Sequence, residues 1–208
     1  YLGRGGVSLG RTRPDDVSVS ALNRLRGKYG VTLDLKHPGA REVFARLLRQ
    51  ADIVVENFSA GTLDRLGVGY PFARSVNPRV IYCSISGFGA TQAPGTGKAM
   101  DTIIQALGGL MMTSGTADEP PVRVGVPVAD LVAPVFGVVG VLAALRQREA
   151  TGTGQHVDVS MLGVLTSLVA AEPFDLLEAC GLPPRTGRVV PRLTPFGVYE
   201  SADGHVAI

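Results

Sequence analysis

Strands and helices alternate along this chain, and that alternation restricts the fold more than any single motif does. Val80-Ile81-Tyr82-Cys83-Ser84-Ile85-Ser86 is the clearest strand, apolar at its start and closed by Gly87-Phe88-Gly89. Ile53-Val54-Val55 reads as a short buried strand, Val31–Leu35 as an alternating one, and Gln155–Val159 as a fourth. Helical patterns separate them. The one opened by Pro38-Gly39 carries Val43, Phe44, Leu47 and Leu48 at helical spacing. Short helices are expected at Gly61–Leu66 and Phe72–Val76, and a longer one over 101–112, ending in Gly108-Gly109. Such alternation predicts an α/β layer with a parallel sheet. Ligands bind such sheets outside the carboxyl ends of the strands, where Asn57-Phe58 and Ser86-Gly87-Phe88-Gly89 fall.

Leu131–Leu145 is the longest uncharged apolar run. It falls short of the roughly 20 residues a membrane span needs, and Pro and Gly interrupt it, so a buried core helix over about 131–149 is expected. Asp130 stands just before this run and is the only charged residue between Arg123 and Arg146. A carboxylate among apolar residues is costly unless something holds it. It reads either as a helix N-cap or as a nucleophilic carboxylate, and the two roles are compatible. Pro134 fits a helix that starts near 131, because proline is tolerated in a first turn. Beyond Val159 one helix is expected to reach Gly181. A Pro- and Arg-rich linker, Leu182–Arg192, then leads to a hairpin turning at Asp203-Gly204.

Composition removes several classes. Hydrophobic content of 45% and charged content of 18% are globular values, and a net charge of +2 gives no reason to expect nucleic acid. Cys83, Cys180, His37, His156 and His205 show no metal-ligand spacing, so no metal is expected and the histidines are read as solvated or loop residues. No leader pattern opens the chain, and a reduced, cytoplasmic protein without a membrane partner is expected. Dinucleotide, Walker, zinc-protease and serine-hydrolase motifs are absent. Thr151-Gly152-Thr153-Gly154 follows a helix, which suits a helix end rather than a phosphate loop.

Several strings, in order, resemble the class III CoA-transferases of the CaiB/BaiF type. They are Leu33-Asp34-Leu35-Lys36, Ala51–Phe58, Leu63–Gly67, Asn77–Tyr82, Ser86–Gly89, Pro120–Arg123, Ala129-Asp130-Leu131 and Thr151–Val159. The resemblance implies a Rossmann-like parallel sheet with flanking helices, the incomplete large domain of such an enzyme. It would comprise an irregular segment 1–20, a CoA-binding α/β domain 21–181, and a linker with the first strands of a small domain, 182–208. It implies an acyl-CoA and a carboxylic acid as substrates, and an interlocked homodimer. Asp130 falls on the nucleophile, which would carry CoA as an aspartyl thioester after passing through a mixed anhydride. Water would destroy that anhydride, so a dry apolar pocket is expected around Asp130. CoA contacts would fall on Leu33, Lys36, Asn57, Phe58, Arg65, Lys98, Ala99, Met100 and Asp101. Lys36, Arg65 and Lys98 can pair with phosphates, and Phe58 offers a ring face.

Two departures leave alternatives open. A 2-methylacyl-CoA racemase or isomerase is one alternative, disfavoured because Met100 stands where those relatives carry a catalytic histidine and a thioether cannot transfer protons. The family's opening CoA-binding segment and its Gly-rich loop would lie outside residues 1–208. A truncated, non-catalytic CoA-binding piece is therefore a further reading, with the apolar faces near Leu131–Leu145 expected to be partly uncovered.

Overall fold

The structure is a computed structural model and describes residues 19–90, 99–190 and 193–208. Its contacts divide the chain into two units, Tyr1–His37 and Pro38–Ile208. The first contains helix α1 (Val19–Leu25). The strand expected at Val31–Leu35 does not form. A strand needs a partner for its backbone, and this segment pairs with none among the described residues. Asp34 bends it instead: its Oδ1 accepts from the Lys36 amide at 3.0 Å and its carbonyl from the His37 amide at 3.0 Å.

In the second unit, α2 (Ala40–Leu48), β1 (Ile53–Glu56), α3 (Thr62–Arg65), α4 (Tyr70–Val76), β2 (Ile81–Ser86), α5 (Asp101–Leu107), α6 (Val128–Thr151), β3 (His156–Ser160), α7 (Met161–Val169) and α8 (Phe174–Ala179) build an α/β layer. The three strands lie in the order β1-β2-β3, all parallel, with Val54 opposite Tyr82 and Tyr82 opposite His156. Side chains alternate across the sheet. Ile81, Cys83 and Val159 face α6 in an apolar core with Ala133, Val141 and Ala144. The opposite face carries Tyr82, Ser84, His156 and Asp158, beside Tyr70 of α4. The hairpin of β4 (Val198–Glu200) and β5 (His205–Ala207) forms as expected.

Helix α6 runs through 24 residues, starting three residues before and ending two after the expected 131–149. By length and composition it could cross a bilayer. The expectation of a buried core helix holds for one stripe only. Ala129, Ala133, Gly137, Val141 and Ala144, at helical spacing, are buried. Small residues let the helix lie close on the sheet: a Cβ at Gly140 would come within 2.6 Å of Val157 Cγ1. Leu131, Val135, Val138, Val139 and Leu142 point away and are exposed.

Two further expectations change. The helix expected to run from Val159 to Gly181 is two, because Pro173 interrupts it between α7 and α8. The 101–112 segment ends its α-helix at Leu107, and Leu110–Thr113 continues as a 3₁₀ turn after Gly109, whose φ is +78°.

Backbone contact is closest after α6. The Gly154 amide donates to the Pro78 carbonyl at 2.9 Å, and a Cβ at Gly154 would fall on the Val80 carbonyl. The obstacle is backbone at the root of β2, which no rotamer change relieves. Gly154→Ala is expected to destabilise the fold by about 1–3 kcal/mol, read as a lower urea midpoint.

Candidate active site

The direction of α6 sets the site. Near its C-terminus the Arg148 guanidinium pairs with Asp52 Oδ1 at 3.0 Å and donates to the Arg79 carbonyl at 3.1 Å. Asp52 and Arg79 immediately precede β1 and the β2 region, so the end of α6 lies at the amino ends of the strands. Midway, Gly137 approaches Cys83 and Ile85. The helix therefore runs antiparallel to the sheet. Asp130, seven residues before Gly137 and so ~10 Å further along the axis, lies toward the strands' carboxyl ends.

Asp130 is in the first turn of α6, not before it. Pro127 occupies the N-cap position, so the Asp130 side chain is not the cap. Pro134 accordingly sits in the second turn rather than the first, where it has no N–H to donate to the Asp130 carbonyl. Asp130 is exposed, and the expected dry pocket is not formed around it by the described residues.

The cap comes from another helix. Asp101 opens α5, and its Oδ1 accepts from the amides of Ala129 at 2.8 Å and Asp130 at 3.4 Å. A carboxylate at this position satisfies amides that have no partner within the helix and meets the positive end of the helix dipole. Its Oδ2 accepts from Gln105 Nε2 at 2.7 Å. Gln105 is fully buried, and its Oε1 accepts from the Val124 amide at 2.9 Å. The approach to α6 and its first turn are thus held by one carboxylate–amide pair. Asp101 was expected to touch CoA; both its oxygens are engaged in these internal bonds.

The turn after β2 joins the same corner. Gly87 allows its backbone to pack on Ala99, whose side chain a Cβ there would overlap. Gly89 takes φ +89°, a conformation that favours glycine. Its amide donates to Ser86 Oγ at 3.0 Å, and the Ala90 amide to Asp158 Oδ2 at 2.8 Å. Ala99, Met100, Asp101 and Asp130 are therefore brought together. Met100 is exposed and precedes α5 as its N-cap residue.

Asn57 and Phe58 directly follow β1 and are exposed, with the Phe58 amide donating to Glu56 Oε2 at 2.8 Å. Arg65 ends α3, exposed, and donates to Thr62 Oγ1 at 3.0 Å. Leu33 and Lys36 belong to the first unit, where Leu33 is half-buried and Lys36 exposed. Lys98 lies outside the described residues. A roomier cleft of about 730 Å³, between α7, α8 and Leu182–Pro184, contains none of these residues.

Three residues with clear structural roles escaped the sequence reading. Gln105 and Asp158 organise the loops just described. His156, expected to be a solvated or loop residue, instead stacks on Tyr70 with ring centroids 4.7 Å apart and bonds Ser84 Oγ at 2.9 Å. The signal for His156 and Asp158 was their alternation with Val157 and Val159, which sends them to the polar face of β3.

Tyr82 is buried on that face, and its hydroxyl has no hydrogen-bond partner among the described residues. Burial, and then the carboxylates of Glu56 and Asp64, push its ionisation well above the ordinary tyrosine range. Above pH ~10 the unfolded chain releases this proton while the folded chain keeps it, so stability falls as pH rises. Tyr82→Phe is expected to flatten that decline in denaturant titrations from pH 8 to pH 11. It should cost little at neutral pH, because it removes an unpaired buried group. Burial likewise raises the Cys83 thiol, with Glu56 and Asp158 adding to the shift, whereas Cys180 is exposed.

The family model of "CoA-transferase family III" matches residues 7–208. The succinyl-CoA:mesaconate CoA-transferase of Haloarcula hispanica is 43% identical over 187 residues, covering 88% of this chain and 47% of the relative. The acetyl-CoA:oxalate CoA-transferase of Acetobacter aceti is 44% identical over 181 residues, covering 86% of this chain and 46% of the relative. A crystal structure of a CaiB/BaiF family protein from Brucella suis superposes with a TM-score of 0.76 at 35% identity, covering 86% of this chain and 47% of that one. The chain spans about half the length of the relatives it matches. With its parallel sheet, its flanking helices and the family match over nearly all of its length, the chain belongs to CoA-transferase family III.

Proposed function

We propose that the protein of which this chain is part transfers CoA from an acyl-CoA donor to a carboxylate acceptor through an aspartyl-CoA thioester on Asp130. The observation that carries this reading is the position of Asp130 in the first turn of α6, toward the carboxyl ends of the strands, with its amide held by Asp101. An Asp130 oxygen attacks the thioester carbonyl, the C–S bond breaks, and CoA leaves as a thiolate. The thiolate then attacks the Asp130 carbonyl of the mixed anhydride and releases the donor acid as a carboxylate. The acceptor carboxylate attacks the resulting thioester and frees the thiolate, which attacks the acceptor's carbonyl and restores Asp130. Every step is nucleophilic substitution at a carbonyl, which splits one hard exchange into easier ones.

Asn57, Phe58 and Arg65, with Leu33, Lys36, Lys98, Ala99 and Met100, are proposed to contact CoA, and Asp101 to hold the nucleophile's helix. The named relatives act on succinyl-CoA with mesaconate and acetyl-CoA with oxalate, which supports a small dicarboxylic acid as acceptor. Residues 21–181 would form the CoA-binding domain and 182–208 the start of a second. A cytoplasmic homodimer completes the reading. Residues outside these 208 would cover Asp130 and the exposed side of α6, keeping water from the anhydride. Incubation with succinyl-CoA should add the mass of CoA to the protein, the label mapping to Asp130 and discharged by hydroxylamine. CoA binding without any covalent adduct would contradict the proposal.

A further inference from the structure

We propose that Gln105 is a positioning residue for the Asp130 nucleophile, acting through Asp101 and the segment that enters α6. The inference rests on Asp130 being the nucleophile. Gln105 and Asp101 are four residues apart on α5 and share one helix face. Gln105 is 0% exposed, where an apolar side chain of similar volume would fill the space with no polar group to satisfy. The amide instead has a partner at each end. Its Oε1 takes the Val124 N–H, and its Nε2 donates to Asp101 Oδ2 at 2.7 Å and to the Val126 carbonyl at 3.3 Å.

An aspartate carboxylate turns easily about its last torsion. Asp101 can present Oδ1 to the Ala129 and Asp130 amides only while Oδ2 is held, and Gln105 holds it. The same amide fixes the backbone at Val124 and Val126, the entry to α6. Gln105 thus grips the Asp130 turn from both sides without bonding the Asp130 side chain. A group acting in this way should govern the chemical step and leave CoA affinity alone.

Two variants, made in the protein of which this chain is part, separate this role from packing. Gln105→Met keeps the volume and removes donor and acceptor. Gln105→Glu keeps the acceptor for Val124 but sets a second carboxylate against Asp101, until acid protonates it and restores a donor. With succinyl-CoA, adduct formation by Gln105→Met is expected to slow by ~10–100-fold, the scale of a misplaced reacting group. CoA affinity and melting cooperativity should be retained, and the Ala129 and Asp130 amides should lose hydrogen-exchange protection. Gln105→Glu should show the same losses at neutral pH and recover relative to the parent chain as pH falls into the carboxylic range. Adduct formation and exchange equal to the parent in both variants would overturn the positioning role, as would a loss of CoA affinity matching the loss of rate. A parent protein, with this chain as part of it, that binds CoA and forms no adduct would overturn the nucleophile reading and this role with it.

Discussion

Asp130→Asn is expected to form no CoA adduct while keeping its fold. An amide oxygen is too weak a nucleophile to displace a thiolate, so the first bond of the proposed exchange cannot form. The fold should tolerate the change. Asp130 is exposed and is not the N-cap, and the amides of its turn are held by Asp101. The interaction of a first-turn carboxylate with the helix dipole is weakened, ~0.3–1 kcal/mol at an exposed site. Peptide mapping after incubation with acyl-CoA gives the readout, and thermal melting the control. A CoA label in the variant, on Asp101, Glu56 or elsewhere, would move the nucleophile to another carboxylate and end the case for Asp130.

The framework was legible because it depends on local pattern. The β2 run Ile81–Ser86 and the strand beginning at His156 carry their own apolar and alternating signals. Asp130 was legible too, as a lone carboxylate before an apolar run. Three things were not, and each depends on contacts distant in sequence. Val31–Leu35 has strand composition but pairs with nothing among the described residues, so composition could not become structure. The helix start near 131 followed from treating Asp130 as cap and Pro134 as a first-turn residue. The true cap is Asp101, 28 residues from Ala129, and a cap supplied from another helix leaves no local spacing to read. Gln105 is one polar position in the 101–112 segment and carries no local signal of its own. Its importance arises only because α5 lies where Val124 and Val126 pass.

Asp101→Ala should then destabilise the fold more than an ordinary change at a half-buried residue. Its methyl group leaves the Ala129 and Asp130 amides without their acceptor, a loss of the kind measured for helix caps at about 1 kcal/mol. It also strips Gln105 Nε2 of its short bond and leaves only the 3.3 Å contact to Val126, and an under-satisfied buried donor costs ~1–3 kcal/mol. Together these amount to about 2–4 kcal/mol, a large share of the ~5–15 kcal/mol that holds a typical domain. Asp101→Asn tests the polarity of the network. The Val124 N–H requires the Gln105 oxygen, so the Gln105 nitrogen must face residue 101, while the Ala129 N–H approaches that residue from its other side. Both sides present donors, and asparagine has only one acceptor oxygen to offer. Asp101→Asn should therefore fall between the parent and Asp101→Ala in urea midpoint, with an unchanged denaturant slope. An Asp101→Ala unfolding free energy within ~0.5 kcal/mol of the parent, the range of ordinary surface substitutions, would show that α6 needs no cap from α5.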